Sequence, residues 1–284
     1  MRALSRPKHE TNLEKADDVE QYKVTALKVG NITNDKSQLL YMKGHGKTIH
    51  VPVWVAAIEG NGIKALVDTG VREPDRWDRE MNPCWAEKDE SMEGALAEIG
   101  WKLNDIDIII NSHLHYDHAE NNTLFPKARF IVSRTEWEYA KAPIPSQVAL
   151  YDYAWTDELI TVMNYQMIAV DDYDLMPGIR IIQTPGHTKG HQSVLVNTAE
   201  GLMCVVGDAA CLPENFSIPT PPAGATSIEE GFKSLERIRS SAEIVFMNHD
   251  PNISKYQNSG FLKTPEAYKP LPAGLKDSMP GRAI

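Results

Sequence analysis

Cysteine is scarce in this chain: the 284 residues include three, and none of them stands in a CxxC pair. Disulfide bonds are therefore not expected, and the reducing cytoplasm is the predicted location. The sequence also has no apolar run close to the roughly 20 residues that a membrane-spanning helix needs. Its first residues lack the apolar segment of a secretory signal, so nothing supports secretion, and we expect no membrane partner.

Positive charge is in short supply as well. The chain has 29 Lys and Arg residues against 39 Asp and Glu residues, which gives a formal net charge of −10, and the two signs are interspersed. A surface that binds nucleic acid needs a basic stripe, so we expect no nucleic-acid partner. The hydrophobic share of 42% is ordinary for a soluble globular protein, and the length allows a large core in one or two domains.

Motifs for covalent or phosphate-cradling chemistry are missing too. We find no GxSxG nucleophile elbow, no P-loop and no dinucleotide-binding fingerprint. Histidine is scarce, with nine residues in all, yet three of them fall within the hexapeptide HLHYDH at residues 113–118. Such clustering of histidine and aspartate is typical of a metal site, and we prefer this interpretation to a polar helix cap with incidental histidines.

The spacing within this hexapeptide predicts two groups of ligands. The residues before it, DIDIII at 105–110, have the β-branched composition of a strand that is buried on both faces. His113 and His115 lie two residues apart, so in extended backbone both rings point to the same side and can hold one cation. Asp117 and His118 follow after the chain has turned, and they can face a second site nearby.

Other predicted strands also end at potential ligands. These are His187 after residues 179–183, Asp208 after residues 202–206 and His249 after residues 244–247. Open α/β sheets collect their chemistry at the carboxyl ends of strands, so we expect all seven groups on one rim. That number suffices for two divalent ions with open positions for water. Imidazole and carboxylate without thiolate suit zinc, and they tolerate iron, manganese or cobalt.

The remaining pattern predicts a mixed α/β chain. Short β-rich runs fill residues 22–70, among them residues 38–42 and a hairpin with its turn at residues 59–62. Helices are predicted at residues 91–100, 134–141 and 228–238. The hairpin ends at Asp68, for which we favour a hydrogen bond to a ligand imidazole over a simple turn cap.

Two stretches, residues 71–90 and 142–166, carry tryptophans but no clear secondary-structure pattern. The first is predicted to be a loop that lines a pocket or an oligomer contact, with packing at the edge of the core as an equal alternative. The second is predicted to form one wall of a cleft.

Taken together, the ligand motifs resemble those of the metallo-β-lactamase superfamily. HLHYDH matches the HxHxDH motif of that family, and TPGHTKGH, VVGDA and NHD follow in the family's order, so the resemblance covers residues 22–255. It implies an α/β fold of the four-layer αββα sandwich type, with a dinuclear metal site at one edge. It also implies the ligand sets: His113, His115 and His187 for one ion, Asp117, His118 and His249 for the other, and Asp208 bridging both.

Within the family, DTG at 68–70, SHLHYDHAEN and DAACLPENF are most similar to the N-acyl homoserine lactonases. The resemblance implies a hydrolase that opens a small lactone with hydroxide held by the two ions, while Asp117 protonates the leaving alkoxide. Those lactonases carry a tyrosine three residues after the bridging aspartate, where this chain has Cys211. We expect Cys211 near the cleft but not on an ion, and His191 as a structural or supporting residue rather than a ligand.

The resemblance leaves several functions open. Thioester hydrolysis as in glyoxalase II, hydrolysis of other esters or cyclic amides, phosphodiester cleavage as in RNA-processing nucleases and a metal-binding redox module all use related sites. The acidic net charge weighs against a nuclease. Residues 1–21 are predicted to be a flexible arm, residues 22–260 the hydrolase domain and residues 261–284 an irregular tail. A small molecule is the expected partner, and a homo-oligomer is left open.

Overall fold

Two β-sheets form the centre of the protein, in a computed structural model that describes residues 20–155, 164–253 and 262–263. The strands of the first sheet are β1 (Lys23–Asp35), β2 (Thr48–Gly60), β3 (Ile63–Val67), β4 (Cys84–Trp85), β5 (Ile108–Ile110), β6 (Arg129–Ser133) and β7 (Asn164–Ile168). Their spatial order is β4-β1-β2-β3-β5-β6-β7. Because β3, β5, β6 and β7 run parallel, their carboxyl ends lie at one edge.

The strands of the second sheet are β8 (Asp172–Met176), β9 (Ile179–Gln183), β10 (Gln192–Thr198), β11 (Gly201–Val205), β12 (Ile244–Phe246) and β13 (Leu262–Lys263). Their spatial order is β13-β12-β11-β10-β9-β8. Strands β9 and β11 both run antiparallel to β10, while β11 and β12 run parallel to each other. Strands β9, β11 and β12 therefore end at the same edge of this sheet.

Helices in the described residues are mostly short. They are α1 (Lys36–Leu39), α2 (Pro74–Glu80), α3 (Met92–Glu98), α4 (Tyr116–Ala119), α5 (Arg134–Ala140), α6 (Glu214–Ser217) and α7 (Ile228–Ser241), with 3₁₀ stretches at Leu103–Asp105, Glu120–Leu124, Pro145–Trp155 and Gly207–Ala209. The helices predicted from the sequence are confirmed as α3, α5 and α7. Ser91 caps α3, as predicted, by accepting a hydrogen bond from Gly94 N.

Three hydrophobic clusters show how the layers stack. Successive side chains of a strand point to opposite faces, so Val53 and Val55 of β2 enter one cluster while Trp54 and Ala56 enter another. The second of these clusters also contains Phe246 of β12, which means that the two sheets face each other. The outer clusters contain residues of α3 on the first sheet and of α7 on the second. The order is therefore helix, sheet, sheet, helix, the predicted αββα sandwich.

The hairpin of β2 and β3 is confirmed. Asn61 and Gly62 connect the strands with positive φ angles of 51° and 74°. Two consecutive residues with positive φ are the signature of a type I′ turn, whose twist matches that of the flanking strands. The turn thus fixes the register that brings the end of β3 to the edge of the sheet.

Two predictions in the first 90 residues were wrong. Residues 38–42 do not form a strand, because Asp35 accepts a hydrogen bond from Ser37 N and so caps α1, while Leu39 and Leu40 are buried. Local capping outweighed the β-rich composition. Residues 71–90 are not a loop throughout, since they contain α2, which starts at a proline, and β4.

The residues that the structure describes do not test the predicted division into domains. The predicted arm at residues 1–21 and the predicted tail at residues 261–284 lie almost entirely outside the described residues. Within the described ranges, no helix is long and apolar enough to cross a membrane.

Candidate metal centre

The potential ligands leave the two sheets where strands end, as the pattern predicted. Asp68 follows β3, His113 to His118 follow β5, His187 follows β9, Asp208 follows β11 and His249 follows β12. At the end of β5 the side chains of Asn111 and Asn122 exchange two hydrogen bonds, of 2.9 and 3.3 Å, which fix the turn into α4. The side chains of all seven predicted ligands meet in one place between the sheet edges.

Three imidazoles form the first group: His113, His115 and His187. Nδ1 of His115 lies 3.0 Å from Nε2 of His187. In a tetrahedral site with zinc–nitrogen bonds of about 2.0–2.1 Å, ligand nitrogens are about 3.3 Å apart. Nε2 of His113 is buried without a hydrogen-bond partner among the described residues, a costly state that coordination of a cation would relieve. The first group therefore fits one ion.

Asp117, His118 and His249 form the second group. Oδ2 of Asp117 lies 3.6 Å from Nε2 of His118 and 3.5 Å from Nε2 of His249. These separations are close to the edge of the same tetrahedron, and imidazole combined with carboxylate is a common donor set for zinc. The second group therefore fits a second ion.

Asp208 lies between the two groups. Its Oδ2 is 3.4 Å from Nε2 of His187 in the first group. Its Oδ1 is 3.3 Å from Nε2 of His118 and 3.3 Å from Nε2 of His249 in the second group. With one oxygen directed at each group, this side chain suits a carboxylate that bridges two ions.

Protonation in the first group is governed by burial. Burial lowers the pKa of His113 and of His115 well below the ordinary value, and it also lowers the pKa of His187. These rings are therefore neutral near neutral pH. Neutral imidazole is the form that binds a metal ion.

Carboxylates dominate protonation in the second group. Burial lowers the pKa of His118, but the negative charges of Asp208, Asp117 and Asp68 outweigh it and hold that pKa well above the ordinary value. Burial raises the pKa of Asp208, but the positive charges of His118 and His249 outweigh it and hold that pKa well below the ordinary value. Asp208 is thus a buried carboxylate whose ionised form is stabilised by positive charge on its neighbours.

Asp68, directly after β3, connects the first sheet to the second group of potential ligands through hydrogen bonds. Its φ of 66° is rare for a residue other than glycine and often marks a functional position. Its carboxylate accepts hydrogen bonds from His118 Nδ1 at 2.8 Å, and from Ser112 N and Oγ at 2.7 and 2.8 Å. Asn248 adds a fourth, at 3.2 Å. The predicted contact with an imidazole is present, and it leaves Nε2 of His118 facing Asp208.

His191 lies behind Asp208. Nε2 of its ring accepts a hydrogen bond from the backbone N–H of Asp208 at 2.9 Å, and its Nδ1 is 2.9 Å from the hydroxyl of Thr184. Burial lowers the pKa of His191 to about 3. Both ring nitrogens have partners in the protein, so this side chain positions Asp208 and does not complete either group.

A cleft of about 380 Å³ opens over the two groups. Gln147 and Leu150, from the stretch predicted to form a wall, line it together with Met81 and Asn82 from residues 71–90. Trp77, in contrast, is buried in the core, where its ring stacks on Tyr116 at a centroid distance of 3.9 Å. Residues 71–90 therefore take both of the predicted roles: Met81 lines the pocket, and Trp77 packs in the core.

Comparison with known proteins identifies the family. The model of the metallo-beta-lactamase superfamily matches residues 49–249, more than half of the chain. The chain belongs to this superfamily. The match spans all seven potential ligands, so the family predicted from the motifs is confirmed.

Relatives of this metallo-β-lactamase-fold protein support the predicted branch. The chain is 32% identical to the N-acyl homoserine lactonase of Bacillus cereus over 244 residues, which are 80% of this chain and 93% of the relative. It is 29% identical to the N-acyl homoserine lactonase AttM of Rhizobium radiobacter over 245 residues, 80% of this chain and 90% of the relative.

A solved structure agrees with these sequence relatives. A variant of Bacillus thuringiensis AiiA, with N-decanoyl-L-homoserine bound at its active site, matches with a TM-score of 0.71 and 27% identity. The match covers 84% of this chain and 96% of that chain. Fold and branch are thus supported by sequence and structure together.

Cys211 occupies the place where the lactonase pattern has a tyrosine. It is buried at the wall of the cleft, and burial and the charge of Asp208 raise the pKa of its thiol well above the ordinary value. Its backbone N–H donates to Asn215 Oδ1 at 2.9 Å, which fixes the turn after Asp208. Cys211 is in none of the groups that could hold a metal. Its side chain is therefore a neutral thiol beside the centre, hydrogen-bonded to Asp208.

Replacing this thiol should have a small effect. We expect Cys211→Ala to lower kcat/KM by less than about tenfold, or about 1.4 kcal/mol, because a neutral thiol is a weak hydrogen-bond donor. Metal content should stay the same. Steady-state kinetics and elemental analysis of the variant test this, and a loss of about a hundredfold, or of an ion, would show instead that the thiol takes part in the reaction or in metal binding.

Sequence reasoning missed several residues that support the centre. Ser112 and Asn248, which hold Asp68, stand beside predicted ligands in the sequence, so their motifs offered a signal. Glu136 and Tyr151 offered no signal in their local sequence, because Glu136 contacts Leu114, 22 positions away, and Tyr151, 15 positions away. A signal for Glu136 comes only from topology. It follows β6, which is parallel to β5, and so reaches the same edge of the sheet.

Proposed function

We propose that this protein is a metal-dependent hydrolase that opens a small lactone at a centre of two divalent ions. The observation that carries the proposal is the position of Asp208, whose two carboxylate oxygens face different groups of potential ligands. The relatives named above are N-acyl homoserine lactonases, which favours ring opening of a lactone over the other reactions of the superfamily.

Zinc is the ion that we propose for both positions. His113, His115 and His187 would hold one ion, Asp117, His118 and His249 would hold the other, and Asp208 would contact both. Imidazole and carboxylate donors without thiolate suit zinc. Two such ions, when bound, lower the pKa of water and polarise a carbonyl group.

Asp117 is the residue to which we assign proton transfer. Its side chain lines the cleft and keeps 12% of its surface exposed, so it can reach both substrate and solvent. Its carboxylate would accept the proton of the attacking water and deliver it to the alkoxide that leaves when the ring opens. Asp208 stays ionised through these steps and holds the two groups of ligands at a fixed separation. The scheme uses no side-chain nucleophile.

The lining of the cleft favours a small neutral substrate with an apolar part. Ile32, Leu39, Met81 and Leu150 supply apolar surface, and the amides of Asn34, Gln38, Asn82 and Gln147 supply polar contacts. None of the described residues that line it is Lys or Arg. A phosphodiester would therefore find no Lys or Arg side chain in this lining to bind its charge.

Lactones should be hydrolysed at least about tenfold faster than phosphodiesters, a preference of about 1.4 kcal/mol in transition-state binding. The test compares kcat/KM for N-acyl homoserine lactones, a linear ester, a thioester and bis-nitrophenyl phosphate. Ring opening is followed by pH-stat, and nitrophenolate release by absorbance. Faster cleavage of the phosphodiester than of any lactone would reject the proposed substrate class, and faster cleavage of the thioester would favour the glyoxalase-like alternative.

The cytoplasm is the location that we propose. All three cysteines are free and buried, which agrees with a reducing compartment. A small molecule is the proposed partner, and the oligomeric state stays a prediction.

A further inference from the structure

Glu136 is a carboxylate with no exposed surface, and the proposed reaction does not use it. Four donors surround it. Its Oε1 accepts hydrogen bonds from Leu114 N at 3.0 Å and from the Tyr151 hydroxyl at 2.8 Å. Its Oε2 accepts them from the Thr188 hydroxyl at 2.6 Å and from Gly190 N at 3.3 Å. Burial raises the pKa of Glu136, and the four donors oppose that shift by favouring the anion.

The partners of Glu136 belong to the segments that carry the first group of potential ligands. Leu114 lies between His113 and His115 in the sequence, and Thr188 directly follows His187. The ring of Tyr151, the third partner, makes a T-shaped contact with the ring of His115 at a centroid distance of 4.6 Å. One side chain therefore connects the backbones that present all three imidazoles.

Close packing at Gly190 makes this connection tight. A Cβ atom at that position would lie 1.9 Å from the backbone nitrogen of Glu136, so only glycine allows the loop to approach α5 so closely. Asp68, in contrast, contacts both groups: it accepts hydrogen bonds from His118 Nδ1 and from Ser112, whose hydroxyl lies 3.0 Å from His113 Nδ1. Of these two buried carboxylates, Glu136 is therefore the one whose contacts are directed at a single group.

We propose that Glu136 is a positioning residue for the metal ion held by His113, His115 and His187. The proposal rests on the proposed metal centre, but not on the identity of the substrate. It predicts that substitution of Glu136 weakens the binding of one ion and leaves the binding of the other unchanged.

Glu136→Gln tests this with nearly unchanged shape. A carboxylate offers acceptor oxygens to both loops, whereas an amide offers one oxygen and one donating NH₂ group. If the NH₂ group replaces Oε1, it faces the N–H of Leu114, and if it replaces Oε2, it faces the N–H of Gly190. In either orientation one backbone donor loses its acceptor. The segment that carries this donor, and the imidazole beside it, should then lose its fixed position.

The experiment measures zinc binding to metal-free protein by competition with a chelator. We expect Glu136→Gln to raise the dissociation constant of one ion by about 10–100-fold, as is typical when the residue behind a ligand is lost, and to leave that of the other ion unchanged. Anomalous scattering from crystals at limiting zinc should place the lost occupancy at His113, His115 and His187. In Asp68→Asn, zinc occupancy should fall at both positions, because Asp68 contacts His118 directly and His113 through the Ser112 hydroxyl.

Glu90→Gln is the matched control. The side chain of Glu90 is mostly buried, and its Oε2 accepts hydrogen bonds from Asn31 Nδ2 at 2.8 Å and Glu87 N at 2.9 Å, in segments that carry none of the potential ligands. This variant should lower the melting temperature without changing either dissociation constant. Thr188→Val, which removes a single hydroxyl donor from Glu136, is the milder variant to use if Glu136→Gln does not fold. It should raise the dissociation constant of the same ion by a smaller factor.

Two results would overturn the assignment of Glu136 but leave the proposed metal centre intact. One is wild-type affinity for both ions in Glu136→Gln, and the other is zinc occupancy lost from the second group instead of the first. If Thr188→Val is the variant measured, unchanged affinity for both ions overturns it equally. Wild-type protein that binds fewer than two ions would overturn the proposed metal centre and this assignment with it.

Discussion

Asp208→Ala is expected to lower kcat/KM for a lactone about a thousandfold, equivalent to about 4 kcal/mol of transition-state stabilisation. The variant should also bind less than its full complement of metal. The physical reason is that Asp208 directs one oxygen to His187 and the other to His118 and His249, so its loss removes a ligand from both groups at once. Kinetics and elemental analysis of the purified variant measure the two effects.

The fold should survive this substitution. Asp208 lies at the edge of the sheets and not in one of the hydrophobic clusters, and its removal takes away a buried negative charge. Asp172→Ala is a suitable control, because it removes an exposed aspartate that pairs with Arg237 outside the cleft. It should keep wild-type activity and metal content. Wild-type turnover in Asp208→Ala would show that Asp208 does not bridge the two metal ions.

Removal of the metal should lower the melting temperature by roughly 8–16 °C. An ion present at a thousandfold excess over its dissociation constant stabilises the folded state by about 4 kcal/mol, and each kcal/mol corresponds to roughly 2–4 °C in a protein of this size. The structure explains the direction. Without a cation, Nε2 of His113 is buried and has no hydrogen-bond partner among the described residues, so metal binding relieves an unfavourable state of the folded protein.

Calorimetry with and without a chelator measures this difference, and adding zinc back should restore the original melting temperature. Asp208→Ala, which lacks a shared ligand, should show a smaller difference between the two conditions. An identical melting temperature for metal-free and zinc-treated wild-type protein would contradict metal binding at these residues.

The ligand pattern could be predicted because its information is local. HLHYDH places four potential ligands within six residues, and the others directly follow predicted strands. Once strands run parallel, their carboxyl ends meet at one edge, so the order of elements was enough to bring His187, Asp208 and His249 to the same rim. The four layers followed from the family resemblance.

What stayed hidden depends on contacts between distant parts of the chain. Glu136 binds Leu114, 22 positions before it, and Gly190, 54 positions after it, and nothing in the local sequence of α5 marks either contact. Residues 38–42 looked β-rich, but the cap at Asp35 decided their structure. In α7, Leu235 and Ile238 are buried in the cluster on the second sheet, but 39% of Phe232 is exposed, so apolar spacing along the helix did not by itself show which side chains the sheet covers.

The central claim is a centre of two metal ions that hydrolyses a lactone, and one titration tests it most directly. Metal-free protein receives zinc in small steps, and each sample is divided between elemental analysis and a pH-stat assay of lactone opening. We predict no hydrolysis without metal and full activity when two ions are bound per chain. Full activity at one ion per chain, or hydrolysis that persists after chelation, would contradict the proposed centre.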